Sequence, residues 1–350
     1  MAASGTGGHI FPALAVAQEL KDWDITWLGV PGRLEERLIP GHYPLVTVPM
    51  EGLQTKSPLT WLRLGVKLVR VLGEVRQLLQ QGYAGVFTTG GYIAAPAILA
   101  ARSLGLPVLL HESNAFPGKV TRFFSRFTQG VGLGLVEAVQ YLPDVPTRWI
   151  GTPVRADCLE PSALQGLEIP PQALVLLVMG GSQGAQGINR LVRECAPAWL
   201  ERDLWIVHLT GAGEFTRCQE ALSHPHYWPI AFWRQMGALL YRADLVISRS
   251  GAVSLAELCA TSRPSILIPY PYAADDHQAF NARALVDRGA ALMFQEQTLT
   301  APILTRTVLT LMEQTATRQR MGQIARGLVR LQAAQDMAQW VQEVMLKGKR

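Results

Sequence analysis

The chain has 350 residues, of which 49% are hydrophobic and 17% charged, enough for two domains of ordinary size with a large buried core. No run of about 18 apolar residues lacks a charge, and the four cysteines (158, 195, 218 and 259) form no CxxC pair, which argues against a membrane-spanning helix, a structural zinc site and a disulfide framework and leaves a reducing cytoplasm as the expected setting. The net charge of +5 suits an anionic substrate or an anionic membrane surface; few basic residues alternate with aromatics, so no nucleic-acid partner is expected.

The chain opens almost directly on a glycine loop, Ser4-Gly5-Thr6-Gly7-Gly8-His9, followed by a helical pattern with Leu14, Val16, Ala17 and Leu20. A glycine loop ahead of a helix can cradle a phosphate or a sugar. It fails the dinucleotide fingerprint, because Ile10 stands at the third glycine position. Only Met1-Ala2-Ala3 precede it, so the expectation is a stunted first strand whose remainder lies upstream; no signal peptide is expected. Ile25–Val30 and Leu45–Pro49 read as strands. Leu59–Leu79 reads as a long helix with Arg63, Lys67 and Arg70 on one stripe. That stripe fits a solvated face or a surface resting on anionic lipid.

Gly85–Thr89 reads as a strand running into Gly90-Gly91-Tyr92, and a helix is expected over 95–104. Pro107–Leu110 ends in His111-Glu112-Ser113-Asn114, polar residues at a strand end, where ligands bind in open parallel sheets. A basic segment with Phe123 and Phe124 covers 119–126. Gly151-Thr152-Pro153-Val154-Arg155 marks a crossing to a second domain, with a linker-like stretch up to Pro170-Pro171.

The second half repeats the pattern. Leu174–Met179 is an apolar strand before Gly180-Gly181-Ser182-Gln183-Gly184-Ala185, and no Gly-Lys-Ser/Thr follows, so this is not a Walker loop. Leu204–Leu209 is a strand, and Tyr227–Trp233 is an aromatic patch. Leu245-Val246-Ile247 is a strand that breaks at Ser248-Arg249-Ser250-Gly251 and resumes as a helix with Val253, Ala256 and Ala260 on one side. Strand, small-residue loop and helix start build an anion site. Arg249 would add a cation, Ser254 a hydroxyl, and Glu257 a carboxylate able to accept from two vicinal hydroxyls. Glu257 equally suits a first-turn acid favoured by the helix dipole. Ser265–Pro269 is a further strand before Asp275-Asp276-His277-Gln278, and the tail from Ala301 is helical. Two halves of alternating strands and helices predict an α/β chain of two doubly wound, Rossmann-like domains.

In this order and spacing, GTGGH (5–9), TGGY (89–92), HESN (111–114), GTPVR (151–155), GGSQGA (180–185), RSGAVSLAE (249–257) and HQAFNA (277–282) resemble the MurG family of bacterial glycosyltransferases over nearly the whole chain. That family transfers N-acetylglucosamine from UDP-N-acetylglucosamine to lipid I in peptidoglycan synthesis. The resemblance implies a GT-B fold with two Rossmann-like domains facing across a cleft. Residues 1–150 would form the acceptor domain, rejoined by a last helix from about 335 to 350, and 151–334 the UDP-sugar domain. It also implies roles. Arg155, Ser182, Arg249 and Ser254 would serve the diphosphate, Glu257 the ribose, and Trp233 the uracil. Ala252 and Val253 would offer backbone groups near the sugar, and Gln278 would read its hydroxyls with His277. Asn114 would reach the sugar from the first domain, with Thr6, Gly7 and Gly8 lining the cleft. Two positions depart from the family pattern: His277 stands where Gln occurs, and Gln54 where a basic residue is common, with Lys56 nearby as a substitute.

The implied reaction inverts the anomeric centre, and no cofactor or metal is expected, since Asp275-Asp276 lies outside the loop context of a metal-holding DxD pair. Helix N-termini, Ser and Arg would neutralise the leaving diphosphate. The attacking hydroxyl needs a base titrating near neutrality; His9 is the first choice and Glu112 the second. The expected partners are UDP-N-acetylglucosamine, lipid I, the cytoplasmic leaflet of the inner membrane (peripheral docking through 59–79 and 119–124) and other wall and division proteins. The alternatives are a related GT-B enzyme using another UDP-sugar or lipid acceptor, and a non-catalytic nucleotide-sugar-binding wall protein.

Overall fold

The computed structural model describes residues 1–50, 58–181 and 184–347; in the helix Pro58–Leu79, side chains are described from residue 68 onward. The chain divides into two compact units, Met1–Pro153 with Gln332–Arg350, and Val154–Leu331.

Among the described residues the first unit holds six parallel strands: β1 (Trp27–Gly29), β2 (Leu45–Thr47), β3 (Val86–Thr88), β4 (Val108–Glu112), β5 (Gly130–Leu133) and β6 (Thr147–Trp149). β1 pairs with β2, and β3 to β6 run in sequence order. Ala2 joins the two groups, bridging Leu28 on one side and Thr88 on the other. Its N–H donates to the Phe87 carbonyl at 2.8 Å, and the Leu28 N–H donates to the Met1 carbonyl at 2.8 Å. The stunted first strand is therefore a single pairing residue at the sheet centre. The chain leaves Ala2 toward β1 and β2, then returns on the other side to β3. The order reverses between Ala2 and β3, and a crevice for ligands is expected at such a switch point.

The helix Ala333–Lys347 packs on the first helix, Gly7–Glu19. Glycines on the sheet make room for it. A methyl group at Gly130 would sit 2.6 Å from the Trp340 ring, one at Gly132 would sit 2.8 Å from Met337 Sδ, and one at Gly85 would overlap Met345. Trp340, Met337 and Met345 are all buried.

The second unit is a parallel sheet in the order β9-β8-β7-β10-β11-β12, formed by β7 (Val175–Met179), β8 (Trp205–Leu209), β9 (Tyr227–Ile230), β10 (Leu245–Ser248), β11 (Ser265–Leu267) and β12 (Ala291–Met293). Its switch point lies between β7 and β10. Leu176, Val178, Ile247 and Ile266 meet Ile188, Trp199, Leu304 and Val308 from the covering helices to form the core. The aromatic patch Tyr227–Trp233 begins as the edge strand β9. The stretch from Ala156 is less of a linker than its composition suggests: Asp157 Oδ2 accepts the Gly237 N–H at 2.9 Å, the Cys158 carbonyl accepts the Tyr241 hydroxyl, and Cys158 is buried. All four cysteines are free and buried. Among the described residues no helix is long and apolar enough to cross a membrane.

Candidate active site

In the first unit the loops after Ala3 and after β3 meet at the switch point, and His9 joins them. Its Nδ1 lies 2.7 Å from the Thr89 carbonyl oxygen, and the Thr89 hydroxyl donates to the His9 carbonyl at 2.8 Å. A carbonyl can only accept, so Nδ1 carries the proton and Nε2 keeps its lone pair. Gly90 and Gly91 take positive φ, +89° and +76°, and lie flat against the imidazole. A side chain at either would be strained by the left-handed backbone. The helix Gly7–Glu19 starts here: Thr6 caps it with extended backbone, and its carbonyl accepts from the His9 and Ile10 N–H groups. Gly7 and Gly8 thus occupy the first turn, whose N–H groups have no partner within the helix. Glu35, fully buried, fixes the loop from behind: Oε2 accepts the Gly5 N–H at 3.2 Å and Oε1 the Val30 N–H at 2.9 Å.

At the end of β4, Glu112 is also buried, and both of its oxygens are committed. Oε1 accepts from the Asn114 backbone N–H and side-chain amide, at 3.0 and 2.9 Å; Oε2 accepts from the Gly118 N–H at 3.0 Å and the Thr121 hydroxyl at 2.7 Å. This is the bonding of a group that shapes the 112–121 loop and aims Asn114. Thr121 lies beside the other loop, its hydroxyl 3.9 Å from where a methyl group on Gly90 would stand. Buried His111 donates from Nε2 to the Gly151 carbonyl at 2.8 Å; burial lowers its pKa, so it stays a neutral strut.

In the second unit β10 ends at Ser248, and the helix Ala252–Ala260 starts from Gly251. Ala252, Val253 and Ser254 form its first turn, with N–H groups and the positive end of the helix dipole directed outward. One turn on, Glu257 is buried and meets Arg155, with Nε to Oε1 at 2.7 Å. Burial pushes the Glu257 pKa up, while Arg155 pulls it down.

Arg249 is placed differently from expectation. Its guanidinium is buried, donates from Nη1 to the Ile268 and Pro269 carbonyls at 3.1 and 3.0 Å, and meets Glu296 at 2.5 Å. It knits the ends of β10 and β11 together, with Nη1 on the two carbonyls and Nη2 in an ion pair with Glu296. Gln278 is likewise engaged: Oε1 accepts from the Tyr270 N–H at 2.9 Å and the Ser250 N–H at 3.3 Å. The Trp233 indole N–H donates to the Gln235 carbonyl at 3.1 Å, and neighbouring Phe232 is exposed. His277 donates from Nδ1 to the Ala274 carbonyl at 2.8 Å. Ser182, Gln54 and Lys56, and the side chains of Arg63 and Lys67, lie outside the described residues.

The structure thus gathers Thr6, Gly7, Gly8, His9, Glu112 and Asn114 at one sheet edge, and Arg155, Arg249, Ala252, Val253, Ser254, Glu257 and Gln278 at another. Sequence reasoning missed three contributors. Thr89 acts through its carbonyl, Glu35 is one of two adjacent acids opening the short helix Glu35–Leu38, and Glu296 follows an edge strand with no motif around it. Among the described residues no cluster of three or more His, Cys, Asp or Glu side chains could hold a metal ion.

Residues 1–133 match the glycosyltransferase family 28 N-terminal domain, and residues 175–340 match the glycosyltransferase family 28 C-terminal domain. The chain belongs to glycosyltransferase family 28. Among family relatives, a protein of Gloeobacter violaceus is 54% identical over 346 residues, 98% of this chain and 97% of that protein. A Synechococcus protein is 51% identical, covering 100% of this chain and 96% of that protein. Both are named UDP-N-acetylglucosamine--N-acetylmuramyl-(pentapeptide) pyrophosphoryl-undecaprenol N-acetylglucosamine transferase. The crystal structure of Acinetobacter baumannii MurG superposes with a TM-score of 0.80 at 30% identity, covering 98% of both chains. Family 28 membership accounts for the pairing of two Rossmann-like units with glycine loops at their switch points.

Proposed function

We propose that this chain transfers N-acetylglucosamine from UDP-N-acetylglucosamine to the 4-hydroxyl of the lipid-linked N-acetylmuramyl-pentapeptide named in its relatives. The near-complete coverage of relatives at about half identity supports the substrate pair. The observation that carries the chemistry is the His9 tautomer: Nδ1 is tied to Thr89, so Nε2 is the proton acceptor. In the step, the acceptor hydroxyl loses its proton to Nε2, its oxygen bonds to the anomeric carbon from the face opposite UDP, and the bond to the diphosphate oxygen breaks with its electrons leaving on UDP.

The second unit supplies the leaving-group site. The first-turn N–H groups at Ala252, Val253 and Ser254 meet the diphosphate, with Ser182 and the Arg155 guanidinium beside them. Glu257 takes the ribose hydroxyls, and Arg155, 2.7 Å away, opposes the rise in its pKa that burial causes. Trp233 flanks the uracil, and Gln278 reads the sugar. Asn114 is the first unit's group for the sugar, and Glu112, which accepts from its backbone and side-chain N–H groups, is a positioning group and not the base. Thr6, Gly7 and Gly8 line the acceptor side.

The lipid acceptor places the reaction at the inner leaflet. Phe123, 59% exposed beside Lys119, Arg122 and Arg126, supports a peripheral docking surface there. Turnover of radiolabelled UDP-N-acetylglucosamine with the lipid acceptor tests the proposal. Transfer from that donor in preference to UDP-galactose or UDP-glucose supports it, and no transfer refutes it.

A further inference from the structure

At the C-terminal edge of the second unit's sheet, one carboxylate binds together three of the loops and the start of the helix that follows β7. Glu296 lies on the loop after β12. Its Oε2 stands 2.5 Å from Arg249 Nη2, on the loop after β10. Its Oε1 rests against Gly187 in the first turn of the helix Gln186–Leu200, which follows β7; a side chain at Gly187 would overlap it. Arg249, so held, reaches the Ile268 and Pro269 carbonyls at the end of β11. The helix start after β7 and the loops after β10, β11 and β12 therefore meet at this ion pair.

Both partners are largely out of water, with side-chain exposures of 9% for Arg249 and 18% for Glu296. A charge so poorly hydrated is retained only against its partner, and removing one member leaves the other buried and uncompensated. Arg249 would then turn toward solvent and release the two carbonyls. Its chain neighbours Ser250 and Gly251 lead into the helix start at Ala252, and the released segment carries Tyr270, whose N–H holds Gln278. Losing the pair would loosen the nucleotide-sugar site on both sides.

We infer that Glu296 is a positioning residue of the donor site, acting through Arg249 to fix the helix start that meets the diphosphate and the loop that carries Gln278. This rests on the nucleotide-sugar reading above. Arg249 on this account is a strut, and its charge reaches the diphosphate only through the geometry it imposes.

The test is UDP affinity by calorimetry, with KM and kcat for UDP-N-acetylglucosamine, in Glu296→Ala, Glu296→Gln and Gly187→Ala. Glu296→Ala is expected to raise the UDP Kd and the donor KM about ten-fold or more, with kcat at saturating donor within about three-fold of the parent. Glu296→Gln keeps an acceptor oxygen for Arg249 and is expected to restore most of the affinity. A merely structural role would lower the folded fraction, and so kcat, without moving KM. Unchanged or tighter UDP binding in Glu296→Ala overturns the inference. Should that variant not fold, Gly187→Ala, which displaces the carboxylate from the other side, gives the same readout: weaker UDP binding supports the inference and unchanged binding overturns it. Failure of the parent protein to bind UDP would instead remove the proposed function, and this inference with it.

Discussion

The imidazole Nδ1 of His9 lies 2.7 Å from the carbonyl oxygen of Thr89, and the Thr89 hydroxyl returns a hydrogen bond to the His9 carbonyl. Two glycine loops, one on each side of a switch point, are fastened by this pair. The bond also selects the tautomer, since a carbonyl oxygen has no proton to give. Backbone geometry thereby decides which ring nitrogen is available for chemistry.

Glu112 is expected to behave as a positioning group. Glu112→Gln offers one acceptor oxygen where four donors now converge, so folding stability should fall by about 1–3 kcal/mol. Turnover should drop, while both limbs of the pH–rate profile keep their positions. A shifted or missing limb would return Glu112 to the role of base.

Arg155 and Glu257 give a pH-dependent prediction. Burial already raises the Glu257 pKa, and Arg155 opposes that rise. In Arg155→Ala the opposition is gone, so Glu257 should take up a proton at higher pH than in the parent. As pH falls, UDP binding should then begin to weaken at a higher pH in the variant than in the parent. Calorimetric titration at several pH values checks this, and parallel profiles for the two proteins would contradict it.

The second unit should lose stability in mild acid because of His208. Its Nε2 donates to Asn189 Oδ1 at 3.0 Å and its Nδ1 accepts the Tyr227 hydroxyl at 2.9 Å, while the Asn189 amide donates to the Thr210 carbonyl. Burial lowers the folded-state pKa from 6.5 to about 3. The unfolded chain therefore binds the extra proton below pH 6.5, so this contribution is complete above that pH and is lost as pH falls toward 3. The slope should reach about 1.4 kcal/mol per pH unit. Denaturant midpoints at pH 7.5, 6.5 and 5.5 should fall more steeply for the parent than for His208→Gln.

The closing helix gives a packing test. Trp340→Ala should destabilise the first unit by about 3–5 kcal/mol, and Gly130→Ala by about 1–3 kcal/mol. The double variant should lose less than the sum, because the new methyl group enters the space the indole vacated. Strict additivity would mean that the two sites do not share that space.

The parts of this fold visible in the sequence are those with an uninterrupted apolar run, such as Val175–Met179 and Leu245–Ile247, and those whose loops need glycine. β5 was not visible, because its sequence, Gly-Val-Gly-Leu, is shaped by the pressure of Trp340 and Met337 on the glycines. β6 and β9 are short edge strands, and Pro229 in β9 disguises it further. For the candidate site, residue types alone single out His9, Glu257 and the helix start at Ala252. They could not show that Arg249 faces Glu296, or that Glu112 is saturated, because both depend on partners distant in sequence or on loop conformation.

The central claim concerns His9 Nε2, and His9→Asn isolates it. The asparagine amide stands where Nδ1 stood and can still donate to Thr89, so the loops keep their tie while the base is removed. Turnover with radiolabelled UDP-N-acetylglucosamine and the lipid acceptor should fall by about 10²- to 10⁴-fold, with UDP affinity within about two-fold of the parent. Turnover near the parent rate in His9→Asn would contradict the account and place the base elsewhere.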